Sequence, residues 1–154
     1  PISINIAKSA GKKLIIAGIV QDEAYFNERV KPFLNKQIVY FGPAGPGKRN
    51  ELMGKASALL HPIGFDEPFG LSVAEAMLCG TPVIAFNRGA MPELIEHGQT
   101  GFLVHSLDEA TKAVEQLSLI NRYYCNQWAT SRFSKERMVA DYLKLYQQMV
   151  REKP

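Results

Sequence analysis

Short apolar runs recur along this chain and alternate with longer amphipathic stretches. Residues 14–17, 38–41, 58–61, 83–86 and 102–104 are short, mostly apolar runs with glycine, proline or asparagine at one end or both. Such runs predict strands of a parallel sheet buried on both faces. Between them lie helical signals. Asp22 can cap a helix bearing Tyr25, Phe26, Val30 and Phe33, with Pro32 disturbing its last turn. Residues 42–49 read as a proline- and glycine-rich loop, and Asn50 as the cap of a short helix through Ala56. Residues 71–79 are rich in helix formers, with Gly80 as the stop and Pro82 just beyond. After a turn at 87–90, Pro92 suits the first position of a short helix. The sequence HGQTG turns the chain into the last strand, and Ser106 with Glu109 forms a capping box for a helix to about Leu117. Residues 120–131 and 134–150 close the chain as amphipathic helices, the second carrying Met138, Tyr142, Leu145 and Met149. The opening segment fits two periods: Ile2, Ile4 and Ile6 alternate as in a strand, while Ile2, Ile6 and Ala10 share a helical face. Strands alternating with helices predict an α/β fold, a Rossmann-like parallel sheet flanked by helices.

Composition narrows this picture. At 154 residues and 46% hydrophobic content, the chain suits a single domain over 1–154 with one core. No apolar run reaches 18 residues, so no membrane-spanning helix and no secretory leader is expected. Pro1 is not a translation start, which points to a trimmed or processed chain. Cys79 and Cys125, with no CxxC spacing, suggest reduced thiols and a cytoplasmic setting. His61, His97 and His105 are scattered, so no metal site is expected. The net charge of +3 is uneven, with seven Lys/Arg against three acids from Asn121 onward. That excess is too small to indicate nucleic acid. It reads as a solvated helix face ahead of a surface for anionic lipid, although peripheral membrane association of a parent protein stays open.

The chemistry concentrates in HPIGFDEPFGLSVAEAMLCGTP, residues 61–82. Glu67 lies in the loop before the predicted helix, and Glu75 about one turn inside it. Between them Gly70 permits close backbone approach, and the amides of Phe69, Gly70 and Leu71 are free at a helix N-terminus. Such an end favours a phosphate. Carboxylates able to grip hydroxyls thus flank donors able to grip an anion, and both are expected to converge on one cleft. A nucleotide sugar has both features. Taken singly, each glutamate reads as a dipole partner of the helix start, worth about 0.3–1 kcal/mol; the combination carries the functional reading.

EPFGLSVAEAMLCGTPVIAFNRGAMPELIEHGQTGFLV resembles the donor-binding domain of the retaining glycosyltransferases of family four, which have the GT-B fold. Glu67 and Glu75 match that family's two glutamates separated by seven residues, and the resemblance extends from Leu14 to FSKERMVADYLKLY. It favours a helix for the opening segment. It implies that Glu67, as the catalytic residue, orients donor-sugar hydroxyls, and that Glu75 binds ribose. Pro68 and the amides of Phe69, Gly70 and Leu71 would contact the diphosphate and sugar, and Gly42 and Pro43 would lie near the base. The implied substrate is a nucleotide-diphosphate sugar such as a UDP- or GDP-sugar, with no cofactor and no metal. The implied activity is hexosyl transfer with retention in polysaccharide or glycolipid synthesis. The family's opening strand and its basic pair do not match residues here, and neither does the acceptor-binding domain. The expectations are therefore a domain short of its central first strand, with a gap, a rearranged strand order or a slot filled by another chain in its place, and no turnover by this fragment alone.

Two other readings compete. GPAGPGKR, residues 42–49, nearly matches the phosphate-cradling G-x4-G-K-[ST] loop, which would make the protein a nucleotide phosphotransferase using Gly42 through Lys48. Arg49 replaces the hydroxyl residue for magnesium, Pro43 and Pro46 remove two amides, and no later strand ends in the needed aspartate. A surface loop is the favoured reading. The other alternative is a non-catalytic nucleotide-sugar binding domain. Arg88, at a strand's carboxyl end, is read either as a phosphate contact or as a solvent-facing turn residue.

Overall fold

The computed structural model describes residues 1–151. Its helices are α1 (Ile2–Ser9), α2 (Glu23–Arg29), α3 (Pro46–Lys55), α4 (Leu71–Leu78), α5 (Met91–Leu94), α6 (Leu107–Glu115), α7 (Arg122–Phe133) and α8 (Lys135–Arg151). Its strands are β1 (Leu14–Ala17), β2 (Ile38–Gly42), β3 (Leu59–His61), β4 (Val83–Phe86) and β5 (Gly101–Val104). All strand pairs are parallel.

The alternation of side chains explains why β4 reads as an unbroken apolar run. Val83 and Ala85 face one buried layer with Val73, Ala76 and Met77 of α4, Met91 and Leu94 of α5, and Cys125 and Ala129 of α7. Ile84 points to the opposite layer, with Phe102, Val104, Ala110 and Ala113. A strand covered on both faces needs apolar residues at every position.

The strands do not form one sheet. β1 pairs with β2, β3 pairs with β4, β4 pairs with β5, and no ladder joins the two groups among the described residues. A continuous five-stranded ladder, which would have rejected the expected gap, is not present. Helix α1 spans the break. Its Ile6 packs into the layer of Ile84 and Phe102, while Ile4 and Ala7 pack with Val30 and Ile38 beside β1 and β2. The helical alternative therefore holds for the opening segment, but its inner face is Ile4, Ile6 and Ala7, not Ile2, Ile6 and Ala10. Serving two separate clusters rotates the face away from a simple single stripe.

Several boundaries differ from the sequence reading for local reasons. The expected loop at 42–49 is only half a loop. Gly45 is the N-cap of α3 and Pro46 takes its first turn, where its fixed φ is pre-organised and its absent N–H is no loss. Asn50 therefore lies inside the helix. α2 ends at Arg29, and Pro32 sits in a separate 3₁₀ turn, Lys31–Phe33. α4 ends at Leu78, and Cys79 is its C-cap, followed by Gly80 at φ 69°. α7 starts two residues late because Asn121 caps it, accepting from the amides of Tyr123 and Tyr124. The capping box forms as read: the Ser106 hydroxyl accepts from the Glu109 amide at 3.1 Å, and the Glu109 carboxylate accepts from the His105 amide at 2.8 Å.

The C-terminal end of α3 is fastened from a distance. The Arg122 guanidinium donates to the carbonyls of Gly54 and Ala56 at 2.8 and 2.6 Å, a cation on the negative end of a helix. It also donates to the Thr81 hydroxyl, which itself donates to the Met53 carbonyl at 2.6 Å. Thr81 is fully buried, so these bonds are what make its polar atom tolerable there. Helix α8 buries none of its residues, and its face of Met138, Tyr142, Leu145, Tyr146 and Met149 is exposed. Among the described residues no helix is long and apolar enough to cross a membrane.

Candidate functional site

The carboxyl ends of β3 and β4 carry the segments that matter. The loop after β3 holds Glu67, and the turn after β4 holds that loop in place. The Ala90 amide donates to the Glu67 carbonyl at 2.9 Å. Arg88 donates to the Asp66 carboxylate at 3.1 Å and to the Gly64 carbonyl at 2.6 Å. Arg88 is exposed in its turn, as the solvent-facing reading has it, and its guanidinium also ties across the base of the glutamate loop. From the other side, Phe69 sits edge-on to Phe133 of α7 with ring centroids 5.9 Å apart.

Gly70 is the N-cap of α4 and adopts φ 93°, ψ 63°, the left-handed conformation that glycine enters without steric penalty. Space closes around it too. A methyl there would lie 2.8 Å from the Met91 side chain and 3.6 Å from Glu67 Cγ. The cap provides no side-chain acceptor, so the start of α4 is unsatisfied. The amides of Phe69, Gly70, Leu71 and Ser72 donate to nothing among the described residues. Unsatisfied donors aligned on a helix start form a ready anion cradle.

Glu75 lies in the second turn of α4, flanked by buried Val73, Ala74, Ala76 and Met77. Its side chain stays 33% exposed, and one oxygen accepts from Arg49 of α3 at 2.8 Å. No hydrogen bond involves the other oxygen among the described residues. Glu67 is half-buried. Close to it stands His61, the last residue of β3. Burial holds the His61 imidazole below its ordinary pKa, with the Glu67 charge pulling weakly the other way, so the ring is neutral at neutral pH.

Two buried side-chain nitrogens lack any partner among the described residues: Arg49 Nε and His61 Nε2. Buried polar atoms are nearly always paired, so orphans call for an explanation. Here each belongs to the neighbour of one glutamate, Arg49 beside Glu75 and His61 near Glu67. Sequence reading set neither residue beside a glutamate. His61 had no nearby cluster in the chain, and Arg49 was weighed only as a defect in a phosphate loop.

A hollow of about 790 Å³ opens beside the loop, lined by Pro68, Phe69, Pro92, Glu93, Trp128 and Phe133 among others, and it includes neither Glu67 nor Glu75. This hollow beside the loop is not the cleft expected between the two glutamates. Gly42, at φ 86°, and the exposed Pro43 lie at the end of β2, on the same carboxyl side of their own sheet. Lys48 is paired with Glu51 at 2.8 Å and lies over the Phe41 ring.

The fold is a parallel α/β one, and in open sheets of this kind ligands bind outside the carboxyl ends of the strands, where the glutamate loop lies. Known proteins sharpen this. The model for "Glycosyl transferases group 1" matches residues 5–131, and the chain belongs to that family. An uncharacterized 41.2 kDa protein in the cps region of Klebsiella pneumoniae is 29% identical over 150 residues, covering 93% of this chain and 41% of that protein. N-acetyl-alpha-D-glucosaminyl L-malate synthase of Bacillus anthracis is 33% identical over 94 residues, covering 56% of this chain and 25% of that enzyme. Among solved structures, Anabaena HepE in complex with UDP and glucose aligns with a TM-score of 0.72 at 25% identity, covering 92% of this chain and 44% of that one. The chain thus spans less than half the length of these relatives, and its fold is that of GT-B glycosyltransferases.

Proposed function

We propose that this domain binds the nucleoside-diphosphate sugar donor of a retaining, family-four glycosyltransferase, a UDP- or GDP-sugar, and that its parent protein transfers the hexosyl group to an acceptor. The observation that carries this is the row of unpaired amides at Phe69, Gly70 and Leu71, set between Glu67 and Glu75. The amides receive the diphosphate, with Pro68 shaping their approach. Glu67 orients the sugar hydroxyls, Glu75 accepts from the ribose hydroxyls, and Gly42 and Pro43 border the base. As the glycosidic bond breaks, charge grows on the leaving phosphate, so donors already aimed there lower the barrier as well as aiding binding. These roles need no cofactor and no metal.

The acceptor belongs to a further domain of the parent protein. A strand supplied from outside residues 1–151 would join the two sheets. The setting that suits this chemistry is cytoplasmic synthesis of a polysaccharide or glycolipid, with the fragment alone inactive. Lys48, already committed to Glu51, gives the phosphotransferase reading no support.

Glu75→Gln should weaken nucleoside-diphosphate binding by roughly 10- to 150-fold, the loss of a charge-assisted contact of about 1.5–3 kcal/mol. Stability should change by less than about 1 kcal/mol, because the Arg49 pair is half-exposed. Calorimetry on the full-length protein checks both. Unchanged affinity for UDP, GDP and ADP alike would remove Glu75 from the site.

A further inference from the structure

The near-match to a phosphate loop leaves one residue without a role in that motif. Arg49 occupies the place where a serine or threonine would hold magnesium, yet it lies within the first half of α3, because Pro46 starts the helix early. From there its guanidinium crosses to α4 and meets Glu75 Oε1 at 2.8 Å, joining residues 26 apart in sequence. Its Nε is buried and has no partner among the described residues, while the side chain as a whole stays 42% exposed and its fork reaches the carboxylate.

We infer that Arg49 is a positioning residue for the donor site, fixing the Glu75 carboxylate so that its remaining lone pairs accept a pair of vicinal hydroxyls. This rests on the assignment of Glu75 to the ribose. Two physical effects support it. A glutamate on a helix surface has three rotatable bonds, and ordering them for a ligand carries an entropic penalty. Arg49 imposes that order before the ligand arrives. A carboxylate has about four acceptor sites, and one bond from Arg49 leaves capacity for two hydroxyls. The second effect is charge. Glu75 lies one turn from amides that would receive a diphosphate, and an uncompensated carboxylate there would repel it. Paired with Arg49, Glu75 presents acceptors without net charge.

The test uses the full-length protein, four variants (Arg49→Met, Arg49→Lys, Glu75→Gln and the Arg49→Met/Glu75→Gln double) and two probes. The first probe is whichever of UDP, GDP and ADP binds wild type most tightly; the second is its 2′,3′-dideoxy form. Arg49→Met should weaken the ordinary nucleotide about 10-fold and the dideoxy form less than 3-fold, while Arg49→Lys recovers most of the loss. The Arg49→Met/Glu75→Gln double variant should be no weaker than Glu75→Gln alone. Equal weakening of both probes by Arg49→Met would overturn the inference, since Arg49 would then touch another part of the ligand or only support the fold. So would unchanged binding by Arg49→Met where Glu75→Gln weakens it. If Glu75→Gln itself fails to separate the two probes, the ribose assignment falls first and this inference with it.

Discussion

Gly89→Ala is expected to lower kcat/KM of the full-length protein by about 100-fold. Gly89 has φ 54°, a conformation costing an alanine about 1–2 kcal/mol. The larger effect is spatial. A methyl at Gly89 would stand 2.6 Å from both the backbone nitrogen and the carbonyl oxygen of Glu67, and 3.0 Å from the carbonyl carbon of Asp66. Backbone on both sides cannot yield as a flexible side chain would. The Glu67 loop must therefore shift, and the Ala90–Glu67 hydrogen bond must stretch with it. Displacing a positioned group by about 1 Å can remove about 100-fold in rate. Gly98→Ala is the control, since Gly98 also has positive φ, 79°, but nothing lies within 4 Å of its added methyl. It should lose a similar conformational increment in Tm and keep activity. Equal losses of activity in the two variants would show that Gly89 matters only as a strained turn.

The second large effect belongs to the fold. Gly101 opens β5 opposite Val83 of β4, where the backbones come close enough that an added methyl would fall on the Val83 carbonyl and amide. Glycine in a strand often marks such an approach. Gly101→Ala must break the start of the β4–β5 ladder or push β4 off α4. The expected loss is about 4 kcal/mol or more, against a total stability of about 5–15 kcal/mol for an ordinary domain. Urea unfolding should show a transition at much lower concentration, or none. Gly54→Ala, in α3 with open space at its methyl, should instead gain about 0.5–1 kcal/mol. A Gly101→Ala protein with wild-type stability would mean that the two strands separate at no cost.

What could be read from residue order alone was whatever depends on neighbours in the chain. β4 was bounded correctly because VIAF has to be apolar on both faces and lies between Pro82 and Asn87. The Ser106–Glu109 capping box and the Gly70 start of α4 were equally legible, being local hydrogen-bond and torsional problems. The start of α3 was misread because proline and glycine signal loops on average, whereas Pro46 is a helix starter. The inner face of α1 was misassigned because its partners lie in two clusters that no periodicity reveals. The two glutamates could be singled out, but not their supports. Arg49 with Glu75, and Arg88 with Asp66, meet only because α3 packs beside α4 and β4 beside β3, at separations of 26 and 22 residues. A guanidinium in a loop looks the same in sequence whether it faces solvent, phosphate or a carboxylate.

The claim beneath all of this is that the bare start of α4 is where a diphosphate sits. Two-dimensional NMR of the ¹⁵N-labelled full-length protein, titrated with UDP and with GDP, addresses it residue by residue. The account predicts that with one of these nucleotides the amide signals of Phe69, Gly70 and Leu71 move furthest and their exchange with water slows. Saturable binding that leaves those signals in place while the amides of residues 42–48 move would contradict it.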